Sequence, residues 1–210
     1  MSATTNIEID DCKRAELLSL AACLRFCATL LRYPDENVFS ALESSLPLFG
    51  ALHVALTGHD QTPLPSLEGM QVSYTSLFVA NPTGIPAVPY VSCRLEPEGQ
   101  VYGEATFALR KMMMAEGVTP DGTLGEPEDH VGFVFDFAAL LAERSVVDPD
   151  KLAWLSHLVN KYLSPLLPSF ANDVARAEPD GFYADATAFC CALIKDDNKL
   201  FQLVTVQSEP

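Results

Sequence analysis

The chain predicts an all-α fold, a single-domain bundle of about seven to nine helices. Three observations predict it. Apolar residues recur at alternating spacings of three and four along most of the chain, the period of an amphipathic helix. No convincing run of strand-like alternation interrupts them. Proline-bearing breaks separate one stripe from the next. With 210 residues, 49% of them hydrophobic, one domain can bury roughly 70% of its unfolded surface. No repeat or low-complexity block divides it, so residues 1–210 read as one helical domain, with 1–10 and 197–210 as candidate flexible tails.

Leu17, Leu20, Leu24, Cys27 and Leu31 form the first stripe, and Tyr33-Pro34-Asp35 ends it and starts another segment. Met70, Tyr74, Leu77 and Phe78 form the second. From Asn81 to Gly99, Pro82, Pro86, Pro89 and Pro97 predict a stiff, extended loop. Val88, Tyr90, Val91 and Leu95 put apolar groups on this connector, and long ordered loops are often functional. Val101, Ala105, Ala108, Met112 and Ala115 form a third stripe, closed by Gly117.

Glu126-Pro127-Glu128-Asp129-His130 then opens the run Val131, Val134, Phe135, Ala138 and Leu141. Proline just inside a helix start needs no N–H, and carboxylates in a first turn face the positive end of the helix dipole. The segment reads as a helix N-terminus. Capping accounts for Glu128 and Asp129 but leaves His130 unexplained. Asp148-Pro149 and Ser164-Pro165 read as caps followed by first-turn prolines. Between them Leu152, Leu155, Val159 and Tyr162 share a face. Glu178-Pro179-Asp180-Gly181 is a break, and Phe182, Ala186, Phe189 and Leu193 form the last stripe. Leu203 to Val206 is β-prone but isolated, a short tail.

The formal net charge is -15 and the isoelectric point about 4.4. Such a field repels nucleic acid and anionic lipid and attracts cationic partners. Met1 to Asp11 is polar, without the basic start of a secretory signal. The longest apolar stretch, Leu17 to Leu31, is interrupted by Arg25 and too short to span a bilayer. Gln207 to Pro210 carries no lipidation signal. The expectation is a cytoplasmic protein without stable membrane insertion.

None of the six cysteines forms a Cys-x-x-Cys pair. Cys23 and Cys27 lie four apart, but no second close pair completes a zinc site, so all are read as free thiols. His53, His59, His130 and His157 lack ligand spacing. No phosphate loop, dinucleotide fingerprint, zincin or nucleophile-elbow motif occurs. Neither metal nor cofactor is expected. Asp129 beside His130 could serve a hydrolase as a base and its orienting partner. Adjacent helical residues point about 100° apart, however, and no nucleophile accompanies them. An enzyme is therefore not expected.

The ordered motifs resemble the TorD/DmsD family of redox-enzyme maturation chaperones, and its DmsD-type members most. Tyr74-x-x-Leu77-Phe78 is similar to the family's aromatic-x-x-Leu-Phe helix, and Pro89-Tyr90-Val91-Ser92 to its Pro-Trp-Gly-Ser loop. Val101-Tyr102-Gly103-Glu104 resembles the lead into the next helix, which Gly117-Val118 follows. Glu126 to His130 resembles the most diagnostic motif. Tyr90 and Val91 depart from the loop's tryptophan and glycine, and Val134 stands where many members carry glutamate. Tyr162 and Leu166 depart from a His-Leu-x-Pro-Trp stretch of which Pro165 is kept.

The resemblance implies a cytoplasmic, non-catalytic chaperone for a molybdenum oxidoreductase. It would bind the twin-arginine leader of the catalytic subunit and hold back export until cofactor insertion. Arginine forks pair well with carboxylates, which Glu126, Glu128 and Asp129 would supply beside His130. Tyr74, Leu77, Phe78, Pro89 and Tyr90, with Ser92 in the same loop, would wall an apolar groove. Replacing Asp129 or His130 is expected to weaken leader binding without unfolding the chain. The alternatives are a NarJ-like adaptor for the mature subunit and, behind it, the hydrolase. Helical chains with long loops also exchange segments between protomers, so a homodimer is a further expectation.

Overall fold

The computed structural model describes residues 11–118 and 126–195. Within them lie nine α-helices and no strand. The expected tails and the Leu203 to Val206 stretch fall outside the described residues.

Helix α1, Asp11–Leu30, carries the first stripe on a buried face. It packs along α6, Val131–Ser145, the most extensive helix pair in the fold. Small residues permit that approach: Ala21 and Ala28 on α1, and Gly132, Ala138, Ala139 and Ala142 on α6, are all buried. A Cβ on Gly132 would stand 3.3 Å from the Leu31 carbonyl oxygen and 3.2 Å from His130 Nδ1. At the solvent edge Arg25 bridges Asp136 and Glu143, and Arg32 bonds Asp136 at 2.6 Å.

Asp35 caps α2, Glu36–Thr57, by accepting from the Val38 N–H. Gly58, at φ 84°, closes it in the left-handed conformation. Only Leu42, Leu46 and His53 of α2 are buried, while Leu48 is 80% exposed. Alone among the described helices, α2 is long and apolar enough to cross a membrane by length and composition, with 17% of its apolar window buried. This departs from the expectation that Leu17–Leu31 is the longest apolar stretch. In α2 serine, glycine and threonine break up the apolar residues, and Glu36 and Glu43 near its start are its only acidic or basic side chains besides His53.

Helix α3, Leu67–Tyr74, runs into a π-helical turn, Thr75–Val79. The loop after it contains one helical turn, α4, Val91–Leu95, where an extended connector is expected throughout. Arg94 anchors that turn, donating to the Val88 carbonyl at 2.6 Å and to Asp173 at 2.9 Å. Helix α5, Glu104–Ala115, buries Thr106, Leu109 and Met113. Val101, at the head of the expected stripe, lies before the helix and is exposed. Glu116, just past α5, takes Arg144 at 2.7 Å and Lys151 at 2.8 Å, tying three helices together. Lys151 and Arg144 hold its carboxyl below the usual range.

Helix α7, Lys151–Leu158, begins two residues after Pro149, because Asp148 forms a turn and accepts the Asp150 N–H. A second π turn, Val159–Leu163, joins it directly to α8, Ser164–Ala177. Ser164 is therefore helical and makes no cap hydrogen bond. Helix α9, Phe182–Ile194, closes the bundle against α8 and α2. The stripes of α1, α6, α7 and α9 meet in one hydrophobic cluster.

Candidate functional site

The acidic segment forms a corner rather than a first helical turn. Helix α6 starts at Val131 and has no acidic residue in its first turn. The cap is His130, whose Nδ1 accepts the Gly132 N–H at 3.1 Å. Acceptance at Nδ1 places the ring proton on Nε2 in the neutral imidazole. Nε2 lies 3.2 Å from the Tyr74 hydroxyl, which is 3.4 Å from the Leu31 carbonyl oxygen. The donors run one way: ring N–H to tyrosine, tyrosine O–H to backbone. Burial, then the Arg32 charge, lowers the His130 pKa from 6.5 to about 4. The residue that capping left unexplained is the cap itself.

The proline loop is bound to this corner through its backbone. Tyr90 and His130 form an antiparallel bridge. Val91 N–H donates to the Asp129 carbonyl at 3.1 Å, and Val131 N–H to the Pro89 carbonyl at 2.8 Å. Asp129 is fully buried, and its Oδ2 accepts from the Ser92 N–H at 2.8 Å and hydroxyl at 2.6 Å. Its Oδ1 is buried without a hydrogen bond from a described residue. Burial pushes the Tyr90 phenol up to about 12.

The three carboxylates have three different fates. Glu128 is buried and takes Arg110 in a bidentate fork, 2.6 and 2.8 Å. That pairing lowers its pKa. Asp129 is occupied by Ser92. Glu126 is exposed and makes no hydrogen bond or ion pair among the described residues. Protein on one side of it desolvates the carboxyl and raises its pKa.

The expected apolar walls divide in the same way. Tyr74, Leu77 and Phe78 are at most 3% exposed and belong to the core, where Tyr74 and Phe78 meet Tyr183 edge-on. Pro89 and Ser92 are buried, and Tyr90 is half-buried against His130. Exposed aromatic surface comes instead from Tyr33, which rests edge-on against Tyr74. A groove of about 690 Å³ lies beside α3 and its π turn, lined by Glu68, Val72, Leu77, Pro86 and Glu178. Of the aromatic-x-x-Leu-Phe motif, Leu77 is the residue that lines it. Asp129 and His130 are adjacent but form no hydrogen bond to each other; the Asp129 carboxylate takes the Ser92 hydroxyl, and the His130 ring bonds the Gly132 N–H and the Tyr74 hydroxyl.

Arg110, Tyr33, Glu68 and Glu178 were not legible as site residues. Arg110 and Glu68 fall in no motif, Tyr33 and Glu178 stand in breaks between stripes, and each reaches its place through the packing of the helices. Burial and hydrogen bonds give Asp129 and His130 a part in holding the fold, beside the binding role expected of them.

A family model described as the nitrate reductase delta subunit matches residues 48–172, more than half of the chain. The chaperone protein TorD of Vibrio cholerae is 31% identical over 126 residues, 55% of this chain and 57% of that one. The Tat proofreading chaperone DmsD of Salmonella typhi is 36% identical over 78 residues, 37% of this chain and 38% of its own. The match thus spans a little over half of the first relative and less of the second. A crystal structure of a protein from Archaeoglobus fulgidus, described in terms of redox enzyme maturation, superposes with a TM-score of 0.56 at 26% identity. It covers 84% of this chain and 94% of its own.

Proposed function

Because the chain belongs to the TorD/DmsD family of redox-enzyme maturation chaperones, we propose that it binds the twin-arginine leader of a molybdenum oxidoreductase's catalytic subunit. In this reading it is a chaperone and not an enzyme, and it delays export until the cofactor is in place. The observation that carries the reading is the division of labour in the acidic segment. Glu128 and Asp129 build a rigid corner, and Glu126 is left exposed and unpaired among the described residues. A carboxylate held on a stiff base suits a guanidinium fork. Half-buried Tyr90 and exposed Tyr33 would pack beside that cationic segment. The groove at Val72, Leu77 and Pro86, rimmed by Glu68 and Glu178, would take the apolar segment that follows it. Tyr74, Phe78, Pro89, Ser92, Glu128, Asp129 and His130 would act by holding this surface in shape.

The test is titration of a twin-arginine leader peptide into the protein by calorimetry. Glu126→Gln is expected to weaken binding by roughly fivefold, the worth of one partly exposed ion pair, and to leave the melting temperature unchanged. A leader in which both arginines are alanine should lose most of its affinity. Equal binding of both leaders, or no binding, overturns the reading.

A second reading, an adaptor on the mature subunit, is favoured by the apolar surface of α2, where Leu48 and Val54 are exposed. Repeating a pull-down with a leaderless client separates the two.

A further inference from the structure

Two histidines six residues apart meet a distant aspartate where the end of α2 and the linker after it cross α9. His53 is 4% exposed, with its ring stacked on Phe189 at 5.5 Å between centroids. Its Nδ1 lies 3.1 Å from the His59 carbonyl oxygen, an acceptor that requires the ring proton on Nδ1. The Nε2 of His53 then turns 3.0 Å from Asp185 Oδ1. Asp185 is oriented from its other oxygen, where Oδ2 accepts the Thr62 N–H at 2.7 Å. Although Nε2 and Oδ1 are close enough for an ion pair, they are not aligned as a hydrogen bond. Both atoms are buried without a hydrogen-bond partner. His59 Nδ1 stands 3.7 Å from the same Oδ1, and the three ligand atoms all lie within 4.8 Å of one another.

We propose that His53, His59 and Asp185 form a binding site for a divalent cation of the zinc type. Zinc takes nitrogen and carboxylate ligands at about 2.0–2.2 Å in tetrahedral geometry, which sets neighbouring ligand atoms roughly 3.3 Å apart. The two contacts at Asp185, 3.0 and 3.7 Å, bracket that spacing. Ligating histidines almost always donate their second ring N–H to a carbonyl or carboxylate, as His53 does to the His59 carbonyl. The buried pair supplies two pre-oriented ligands. His59, with its side chain 58% exposed, supplies the third from the solvent side. On loading, its proton sits on Nε2 in water, so that Nδ1 offers its lone pair and gives up the contact with the Asp60 carbonyl. The fourth position faces solvent and takes water. The ion would join the end of α2, the linker and α9.

The spacing of two histidines six apart, with an aspartate far along the chain, matches no ligand motif, so the site is legible only in the fold. The test titrates zinc(II) and cobalt(II) into full-length, chelator-treated protein. A single equivalent should bind, measured by competition with a chromophoric chelator. The melting temperature should rise by about 5–10 °C at a hundredfold excess over Kd. Cobalt(II) should give a tetrahedral visible spectrum without thiolate charge-transfer bands. His59→Ala, at an exposed position, should fold normally and lose roughly 100-fold or more in affinity, beyond the usual loss of an outer-shell partner. Asp185→Asn should do the same, and His157→Ala on α7 should change nothing. Equal zinc affinity in wild type and His59→Ala, thiolate bands in the cobalt spectrum, or no stoichiometric binding overturns the proposal.

Discussion

His130 is at once a buried imidazole and a helix cap. The cap needs the Nδ1 lone pair, so protonation there removes the bond to Gly132. The folded pKa of about 4 lies below the ordinary 6.5. Between those values the unfolded chain binds a proton that the native chain does not. Stability from this group is therefore complete above pH 6.5 and is lost as pH falls toward 4, by about 3 kcal/mol in all. His130→Asn keeps a good capping side chain but does not titrate. Urea unfolding at pH 7 and pH 4.5 should show a smaller loss of stability for the variant than for wild type. At the same scale, the resemblance in sequence singled out Glu126 to His130 as a unit but could not sort its members. Glu126, Glu128 and Asp129 are chemically alike, and only Arg110 and Ser92, brought in by α5 and the loop, separate their roles.

At the scale of elements, helices with one buried stripe were legible because period alone defines them. The stripes of α1, α6 and α9 are buried as the spacing predicts. Helix α2 was not read, because little of it is buried and Pro47 stands within it. Boundaries suffered where a turn competed with a cap, as at Asp148, and where a π turn fused two helices at Ser164. The link between the proline loop and α6 was invisible, since it is made of backbone bonds and one buried carboxylate. That carboxylate sets a clear expectation. Asp129→Ala leaves the Ser92 N–H and hydroxyl without their acceptor in the interior, which costs about 2–4 kcal/mol. Chemical denaturation would measure it. An unchanged midpoint would show that the loop holds its place without the aspartate.

For the whole molecule, composition spoke first and most simply. A net charge of -15 would draw in the cationic leader of the proposed function over a distance that salt controls. The association rate should fall by roughly tenfold or more between low and high ionic strength, with a much smaller change in dissociation. Stopped-flow fluorescence across a salt series would read both. A flat series would mean that the acidic surface serves solubility alone.

Ser92 and Asp129 are 37 residues apart in sequence and touch at 2.6 Å. The chain between them is therefore a closed excursion, fastened at its base and entered and left at one point. Lengthening such an excursion adds little entropy cost, about 0.6 kcal/mol for each doubling. Pro97, Glu98, Gly99 and Gln100 lie on it, all of them exposed. A reporter domain spliced there would ride on the molecule while the fastening at its base stays shut.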